Sequence, residues 1–395
     1  MKYQDLEFLL SKEGKALTRK LSLQFFGQKV KPESVLKLRK EFPDIDIRSV
    51  VELINLRQRA EGKFKNASDM FFTKNGLEQS TGENVAEHVA KRFAPFKNIV
   101  DLTCGVGGNT IALARHSHVV AVEKDNTTLQ MAQENAKVNS VEKNIDFINT
   151  NAENIDLKEF DAVFIDPARR DPKSNTRTVS LRDSIPSLTS FLPKILSQVG
   201  AVGVKVSPAV SYDEISLLSE IPEIEVIAEK NECKQVMLWF GKLKTVERRA
   251  TILPSGVSFI NDPKPIMIEC SPFMKYIIEP NCSIIRAHLI DELAIRFKLK
   301  KIDPNIAYLT TDSMLFPEND IFKIFEVLVA SSYNLKGLKK KLKELKISNI
   351  NITRRGFPKK PEEIRSLLKI KEGGPFFLIL TRIGNKHYQI IAKRI

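Results

Sequence analysis

The chain has no apolar run approaching the roughly 20 residues that a membrane-spanning helix requires. Its first residues, MKYQDLEFLLSKEGK, lack the uninterrupted apolar core of a secretory signal. A cytoplasmic protein is expected. Cysteine is scarce: Cys104, Cys233, Cys270 and Cys282 form no C-x-x-C pair, and the five histidines keep no ligand spacing with them. Structural zinc is therefore not expected. His116 and His118 flank a single residue, but they fall where a helix gives way to a strand, and two ligands alone seldom make a metal site. Internal repeats and low-complexity tracts are also missing. With 42% hydrophobic and 28% charged residues the composition is that of an ordinary globular protein. A length of 395 residues predicts two or more domains.

Acidic residues are nearly absent from one region. Between Lys336 and Ile395 there are 17 Lys and Arg against 4 Asp and Glu, so this segment carries +13 of the formal net charge of +14. Concentrated positive charge suggests a surface for a polyanion, with Lys339, Lys340, Arg354 and Arg355 as candidate contacts; a solvated lysine-rich helix is the plainer alternative.

Four segments are expected along the chain. Residues 1–75 place apolar positions at helical spacing, as in Val35, Leu36, Leu38 and Val50, Val51, Leu53, Ile54, and predict a helical N-terminal domain. Residues 76–245 alternate strands and helices, which predicts a mostly parallel sheet covered on both faces. The NECKQ connection before Val236 is too short for a crossover helix, so the last two strands of this segment should pair antiparallel. Residues 246–325 read as a small mixed α/β linking module. Residues 326–395 form the basic module, predicted as helix, strand, helix and two strands, preceded by a helix over Phe322 to Ala330.

The chemistry concentrates in Asn98 to Asp125, NIVDLTCGVGGNTIALARHSHVVAVEKD. A strand ends at Leu102, and Gly105, Gly107 and Gly108 follow in the turn, where glycine permits close backbone approach to a ligand. Glu123 ends the next strand, where a carboxylate can accept both hydroxyls of a ribose. A nicotinamide dinucleotide would call for G-x-G-x-x-G, and the turn here reads G-V-G-G-N-T. Asp101, just before it, suits the cationic amino-acid end of S-adenosylmethionine better than a pyrophosphate.

These residues resemble the class I S-adenosylmethionine-dependent methyltransferases. Asp101 to Thr110 resembles their first motif, which implies that Asp101, Cys104, Gly105, Gly107, Asn109 and Thr110 line the cofactor. Glu123, with Lys124 beside it, resembles their ribose-binding acid, and Asn151 with Ala152 their adenine-contacting turn. The resemblance implies a Rossmann-like, seven-stranded sheet. More narrowly, EQSTGENVAEHVAKRF followed by NIVDLTCGVGGNTIALA resembles RNA cap trimethylguanosine synthases over Leu77 to Asp166. The layout through NLKGLKKKLKEL and TRRGFPKKPEEIRSLLKIKEGGPFFLILTRIG is similar to bacterial methyltransferases with a THUMP-like C-terminal domain, a domain associated with RNA modification.

The fourth strand runs into Asp166-Pro167-Ala168-Arg169-Arg170-Asp171-Pro172. Amino-methylating enzymes place D-P-P-Y or N-P-P-Y here, the acid accepting from the target amine and the aromatic stacking on the base. Asp166 and Pro167 match; Ala168 and Arg169 depart, and the tryptophan with which cap enzymes stack on their substrate is missing. D-P-A-R also occurs in RNA uracil-C5 methyltransferases, but their nucleophilic cysteine is replaced by Lys205-Val206-Ser207-Pro208. Asp166, Lys205, Glu232 and Lys74 could alternatively form the Lys-Asp-Lys-Glu group of ribose 2′-O-methylation.

The expectation is a methyltransferase that N-methylates a base in structured RNA, tRNA or rRNA. Asp166, Pro167 and Arg169 would be catalytic, Arg169, Arg170 and Lys205 would contact RNA, and Phe72, with Phe71, would stack on a flipped base. Ribose methylation, or a non-catalytic RNA-binding assembly protein that retains the cofactor, are the alternatives.

Overall fold

The computed structural model describes residues 3–28, 30–168, 180–264, 267–314 and 320–395. They fall into two compact units, 1–222 with 237–245, and 223–236 with 246–395.

The first unit opens with helices α1 (Tyr3–Leu10), α2 (Lys12–Gln24), α3 (Pro32–Glu41) and α4 (Ile47–Ala60). Asp46 caps α4 by accepting from the Arg48 backbone N–H. The helix then buries Ile47, Val50, Val51, Leu53, Ile54 and Leu56, a stripe at helical spacing. Next come α5 (Lys74–Gln79) and α6 (Glu83–Phe93), then β1 (Asn98–Asp101), α7 (Gly108–Ala114), β2 (His118–Val122), α8 (Asn126–Val138), β3 (Ile145–Ile148), β4 (Ala162–Ile165), α9 (Leu188–Leu196), β5 (Ala201–Val206) and α10 (Tyr212–Ser216). Strand β6 (Glu223–Glu229) belongs to the second unit, and the division falls within β7 (Glu232–Gly241). The strand order in the first unit is β3-β2-β1-β4-β5-β7, and β1 pairs parallel with both β2 and β4.

Sheet strands buried on both faces need apolar runs rather than alternation. Ile99, Val100, Val163, Phe164 and Ile165 are all fully buried. Gly203 on β5 has a steric reason: a Cβ there would lie 2.8 Å from both Phe93 and Trp239, whose rings pack at 5.7 Å across it. Asn135 on α8 ties the unit together. Fully buried, its amide donates to the carbonyls of Phe71 (3.0 Å) and Val106 (2.9 Å) and its oxygen accepts from Phe71 N–H (2.7 Å).

In the second unit β6 runs parallel to β8 (Arg248–Leu253), which pairs antiparallel with β9 (Val257–Ile260). There follow β10 (Tyr276–Pro280), α11 (Cys282–Arg286), α12 (Ile290–Phe297), β11 (Lys300–Lys301), β12 (Leu309–Thr311), β13 (Phe322–Ser332), α13 (Leu335–Glu344), β14 (Asn351–Arg354), α14 (Pro361–Leu368), β15 (Phe376–Ile383) and β16 (Lys386–Arg394). A second sheet has the order β11-β12-β10-β13-β16-β15-β14. One face packs Leu338 and Leu342 of α13 and Ile364 of α14 against Leu378, Leu380 and Ile391. The opposite face buries Ile277, Ile302, Tyr308, Phe325, Ile379 and Ile390.

The helix expected over Phe322 to Ala330 is strand β13, an interior strand paired with β10 and β16. FKIFEVLVASS is rich in β-branched and aromatic residues, and a short apolar run of this kind fits either period until its partners are known. Among the described residues no helix is long and apolar enough to cross a membrane.

Candidate active site

The tips of β1, β2, β3 and β4 open on a cleft of about 990 Å³ in the first unit. Ligands in open α/β sheets bind at such strand C-termini.

Asp101 ends β1 and is fully buried. Its carboxylate accepts from Thr110 Oγ1 at 2.7 Å and from Thr103 N–H at 3.2 Å. Burial pushes its pKa up to about 7; those two hydrogen bonds oppose the rise, and the neighbouring Asp166 and Glu123 carboxylates add to it. Behind it the chain turns on Gly105 and Gly107, with φ of +54° and +92°, the left-handed region that glycine tolerates. A Cβ on Gly105 would meet nothing within 4 Å, so that face of the turn is open. The turn is held by Cys104 N–H on Val122 O (2.9 Å) and Gly107 N–H on Cys104 O (2.9 Å). Cys104 lines the cleft, yet its thiol is held well above the ordinary range, by burial first and then by Asp101 and Glu123.

Glu123, one residue beyond β2, accepts from Gly105 N–H (3.2 Å) and Asp125 N–H (3.0 Å), so turn and acid are positioned by one another. Lys124 beside it is exposed. Asn149, which sequence reasoning passed over, donates to the carbonyls of Glu123 (2.7 Å) and Lys124 (3.1 Å) and joins the β2 and β3 tips. Asn151 and Ala152 begin a short 3-10 turn on the same wall of the cleft. Asn109 donates to Thr81 Oγ1 at 3.1 Å, while its own buried side-chain oxygen has no partner among the described residues. A buried polar atom left unpaired beside a cleft fits a ligand that would satisfy it.

Asp166 follows β4. Its N–H donates to Thr103 Oγ1 (2.8 Å) and its carboxylate receives Lys205 Nζ at 2.6 Å. Lys205, at only 5% exposure, also reaches Gln79 O at 3.4 Å. Pro167, Ala168 and Ser207 line the cleft with Asp166, and Ala168 bridges to Ile185. Gln79, Ser80 and Thr81 form the facing wall; they lie in the quoted EQSTGE segment, but the sequence assigned them no role. Thr103 was also missed, although it sits between the acid and the first glycine.

Other expected residues are placed differently. Phe72 is fully buried and stacked on Phe64 at 5.6 Å, and Phe71 is 2% exposed beneath Arg57. Neither ring offers a face to a base, so the stacking role is withdrawn. Glu232, in the second unit, is exposed and paired with Lys234 at 2.6 Å, and Lys74 does not line the cleft. Arg169 and Arg170, with Asp171 and Pro172, lie outside the described residues. In the C-terminal region Lys339 and Lys340 are exposed on α13, and Arg354 is exposed while donating to the carbonyls of Phe357 and Pro358. Arg355 is partly buried, bound to Glu279 at 3.0 Å and lying over Tyr308 at 5.2 Å, which leaves it less available to a ligand. Among the described residues no group of three or more His, Cys, Asp or Glu could hold a metal ion.

A doubly wound sheet with carboxylates at its first two strand tips and a glycine turn between them defines an α/β enzyme built around an adenosine-containing cofactor. The chain belongs to the S-adenosylmethionine-dependent methyltransferases. It is 31% identical over 345 residues to an S-adenosylmethionine-dependent methyltransferase of Mycobacterium tuberculosis, itself described as uncharacterized, with 85% of this chain and 92% of that one covered. Residues 96–182 match the family of RNA cap guanine-N2 methyltransferases, and residues 322–394 match the THUMP domain-like family. A solved structure from Porphyromonas gingivalis, classed as a methyltransferase, shares the fold across 98% of this chain and 99% of that one, with a TM-score of 0.76 at 20% identity. A shorter likeness, 30% over 90 residues, joins 22% of this chain to 21% of a 23S rRNA (uracil(747)-C(5))-methyltransferase of Pyrococcus horikoshii. The cofactor is S-adenosylmethionine.

Proposed function

We propose that this methyltransferase acts on a base nitrogen in structured RNA, tRNA or rRNA. The observation that carries the reading is Asp166, a carboxylate in the cleft wall fixed from behind by Lys205 at 2.6 Å and followed by Pro167. An amine donating to a carboxylate held in this way has its lone pair held in one direction, and positioning of that kind is most of the catalysis when the donor carries the electrophile. S-adenosylmethionine, when bound, supplies that electrophile as a sulfonium methyl group. Asp101 and Asn109 are the residues that would hold its amino-acid end, Gly105 and Gly107 would let the backbone approach it, Glu123 would hold the ribose, and Asn151 with Ala152 the adenine. Cys104 and Lys124 line the same cleft, and Thr110, buried behind it, holds Asp101 at 2.7 Å.

RNA as the acceptor is favoured by the +13 charge after Lys336 and by the two family matches. Uracil-C5 chemistry is disfavoured despite the Pyrococcus likeness. It needs a thiolate, whereas Cys104 is held as a thiol and Ser207 stands where the nucleophile would be. One observation favours ribose 2′-O-methylation: Lys205 and Asp166 form half of a Lys-Asp-Lys-Glu group. Against it, the second lysine of such a group is not supplied by Lys74, which does not line the cleft.

The test is transfer of labelled methyl from S-adenosylmethionine to total cellular RNA, followed by nucleoside mass spectrometry. We expect a methylated base, lost in Asp166→Ala with cofactor binding retained. Undiminished labelling by Asp166→Ala, or no labelled RNA at all, would overturn the reading; a labelled 2′-O-methyl nucleoside would select the ribose alternative.

A further inference from the structure

We propose that a basic groove on the N-terminal helices of the first unit holds the phosphates of the RNA strand flanking the target nucleotide, and so delivers that nucleotide to the cleft. The inference rests on the RNA reading above.

The groove, about 310 Å³, lies among α3, α4 and the start of α5, with Arg48, Arg59 and Lys74 on its walls against the single carboxylate Glu52, Arg48 being paired with Asp46 at 3.1 Å. Arg48 and Arg59 keep side-chain exposures of 71% and 53%, and Lys74 is exposed. Charge is not spread evenly along the chain. Residues 1–75 hold 16 Lys and Arg against 10 Asp and Glu, a net +6, which with the +13 C-terminal segment leaves residues 76–335 at −5. The N-terminal helices are therefore a second basic module, and its excess is separate from the one after Lys336.

Groove and cleft share a wall. Helix α5 presents Lys74 to the groove and Asn75, Gly76 and Glu78 to the cleft. Arg59 of the groove and Glu78 of the cleft form an ion pair at 3.6 Å across the ridge between them. The cleft itself is unsuited to phosphate. Among the described residues its lining carries the carboxylates Glu78, Glu123, Glu153 and Asp166 against the cation Lys124. A polyanion whose base enters an acidic cleft needs its backbone held elsewhere, within a nucleotide or two of the entrance. Arg48, Arg59 and Lys74 supply cations, in sequence-independent form, in a groove that shares α5 with the cleft. A protein acceptor would gain nothing from cations ranged along a groove beside an acidic pocket, which is why nucleic acid is the occupant assigned.

The test compares full-length wild type with Arg48→Glu/Lys74→Glu. Both positions lie in the first turn of a helix, where the dipole favours a carboxylate, so the fold is retained. A control, Lys143→Glu/Lys158→Glu, makes the same charge change at exposed positions preceding β3 and β4, at the opposite strand ends from the cleft. Three quantities are read: affinity for bulk tRNA and for a single-stranded RNA oligonucleotide as a function of salt, methyl transfer to RNA, and S-adenosylmethionine affinity. The groove variant should bind cofactor as wild type does, show a salt slope shallower by about 1.4 on the single strand, and raise KM for RNA about tenfold or more. The control should behave as wild type. A groove variant indistinguishable from the control overturns the proposal while leaving the RNA reading standing. A wild type that methylates a protein fraction and neither binds nor methylates RNA overturns both.

Discussion

Lys205 Nζ lies 2.6 Å from Asp166 Oδ2, and the lysine is 5% exposed while its partner's side chain is 21% exposed. The lysine is thus the structural member of the pair and the aspartate the one that meets the cleft. Replacing Lys205 by Met should leave a partly desolvated carboxylate without its donor, at roughly 1–3 kcal/mol in stability. Methyl transfer should fall far more than cofactor affinity, and Lys205→Arg should recover part of the rate because it restores the charge. A Lys205→Met enzyme with unaltered kcat would remove Lys205 from any positioning role.

If Asp101 holds the amino-acid end of the cofactor as proposed, cofactor binding should depend on pH. The folded pKa of Asp101, about 7, lies above the ordinary 3.8, so the folded chain binds more protons than the unfolded chain between those values. Without cofactor, this group's contribution to stability is therefore lost as pH rises from about 4 to about 7. A cationic amino group beside the carboxylate reverses the preference, so affinity for S-adenosylmethionine should rise through pH 7 and level off above it. Calorimetry from pH 5.5 to 8.5 measures this; a flat wild-type profile, or an equally sloped Asp101→Asn profile, contradicts it.

Asn135 holds the strap at Phe71 and the glycine turn at Val106 to one helix through three buried hydrogen bonds. Asn135→Ala strands those backbone groups, and urea unfolding should show a loss of roughly 2–4 kcal/mol. Because Val106 sits inside the glycine turn that lines the cleft, affinity for S-adenosylmethionine should fall at temperatures where the fold persists. Unaltered affinity would mean that the turn is held by its own backbone bonds alone.

Gly203→Ala should strain the core, since the added Cβ would meet Phe93 and Trp239 at 2.8 Å. Overpacking of this kind costs about 1–3 kcal/mol. Trp239 is the chain's one tryptophan, so its fluorescence reports the contact directly. An unshifted emission spectrum with unaltered stability would show that the rings yield without cost.

What could be read from the sequence follows the range of the interactions involved. Asp101, the glycine turn and Glu123 lie within 23 residues, and each is held by neighbours in the same βαβ unit, so their order alone was enough to single out a turn that the structure places at the cleft. The contacts of Asp166 with Lys205 and of Lys205 with Gln79 span 39 and 126 residues, and that of Phe71 with Asn135 spans 64. No local pattern encodes such pairings. Phe72 illustrates a second limit: an aromatic pair reads the same whether it faces a ligand or Phe64. Strand β13 illustrates a third, because burial by β10 and β16 decides between helix and strand where the apolar spacing fits both.

The C-terminal charge is testable only by means that respect the sheet. Truncation at Lys336 would remove β14, β15 and β16 together with Leu338 and Leu342 of the core, so lost RNA retention would report unfolding. Lys339→Ala/Lys340→Ala on exposed α13 positions leaves that core intact, and stability should stay within about 0.5 kcal/mol. If these lysines neutralise phosphates, each one lost should lower the salt slope of RNA binding by about 0.7 on single strands and about 0.9 on duplex. The form on which the slope falls is the one that α13 meets. A salt dependence equal to wild type on both would return α13 to the plainer reading of a solvated lysine-rich helix.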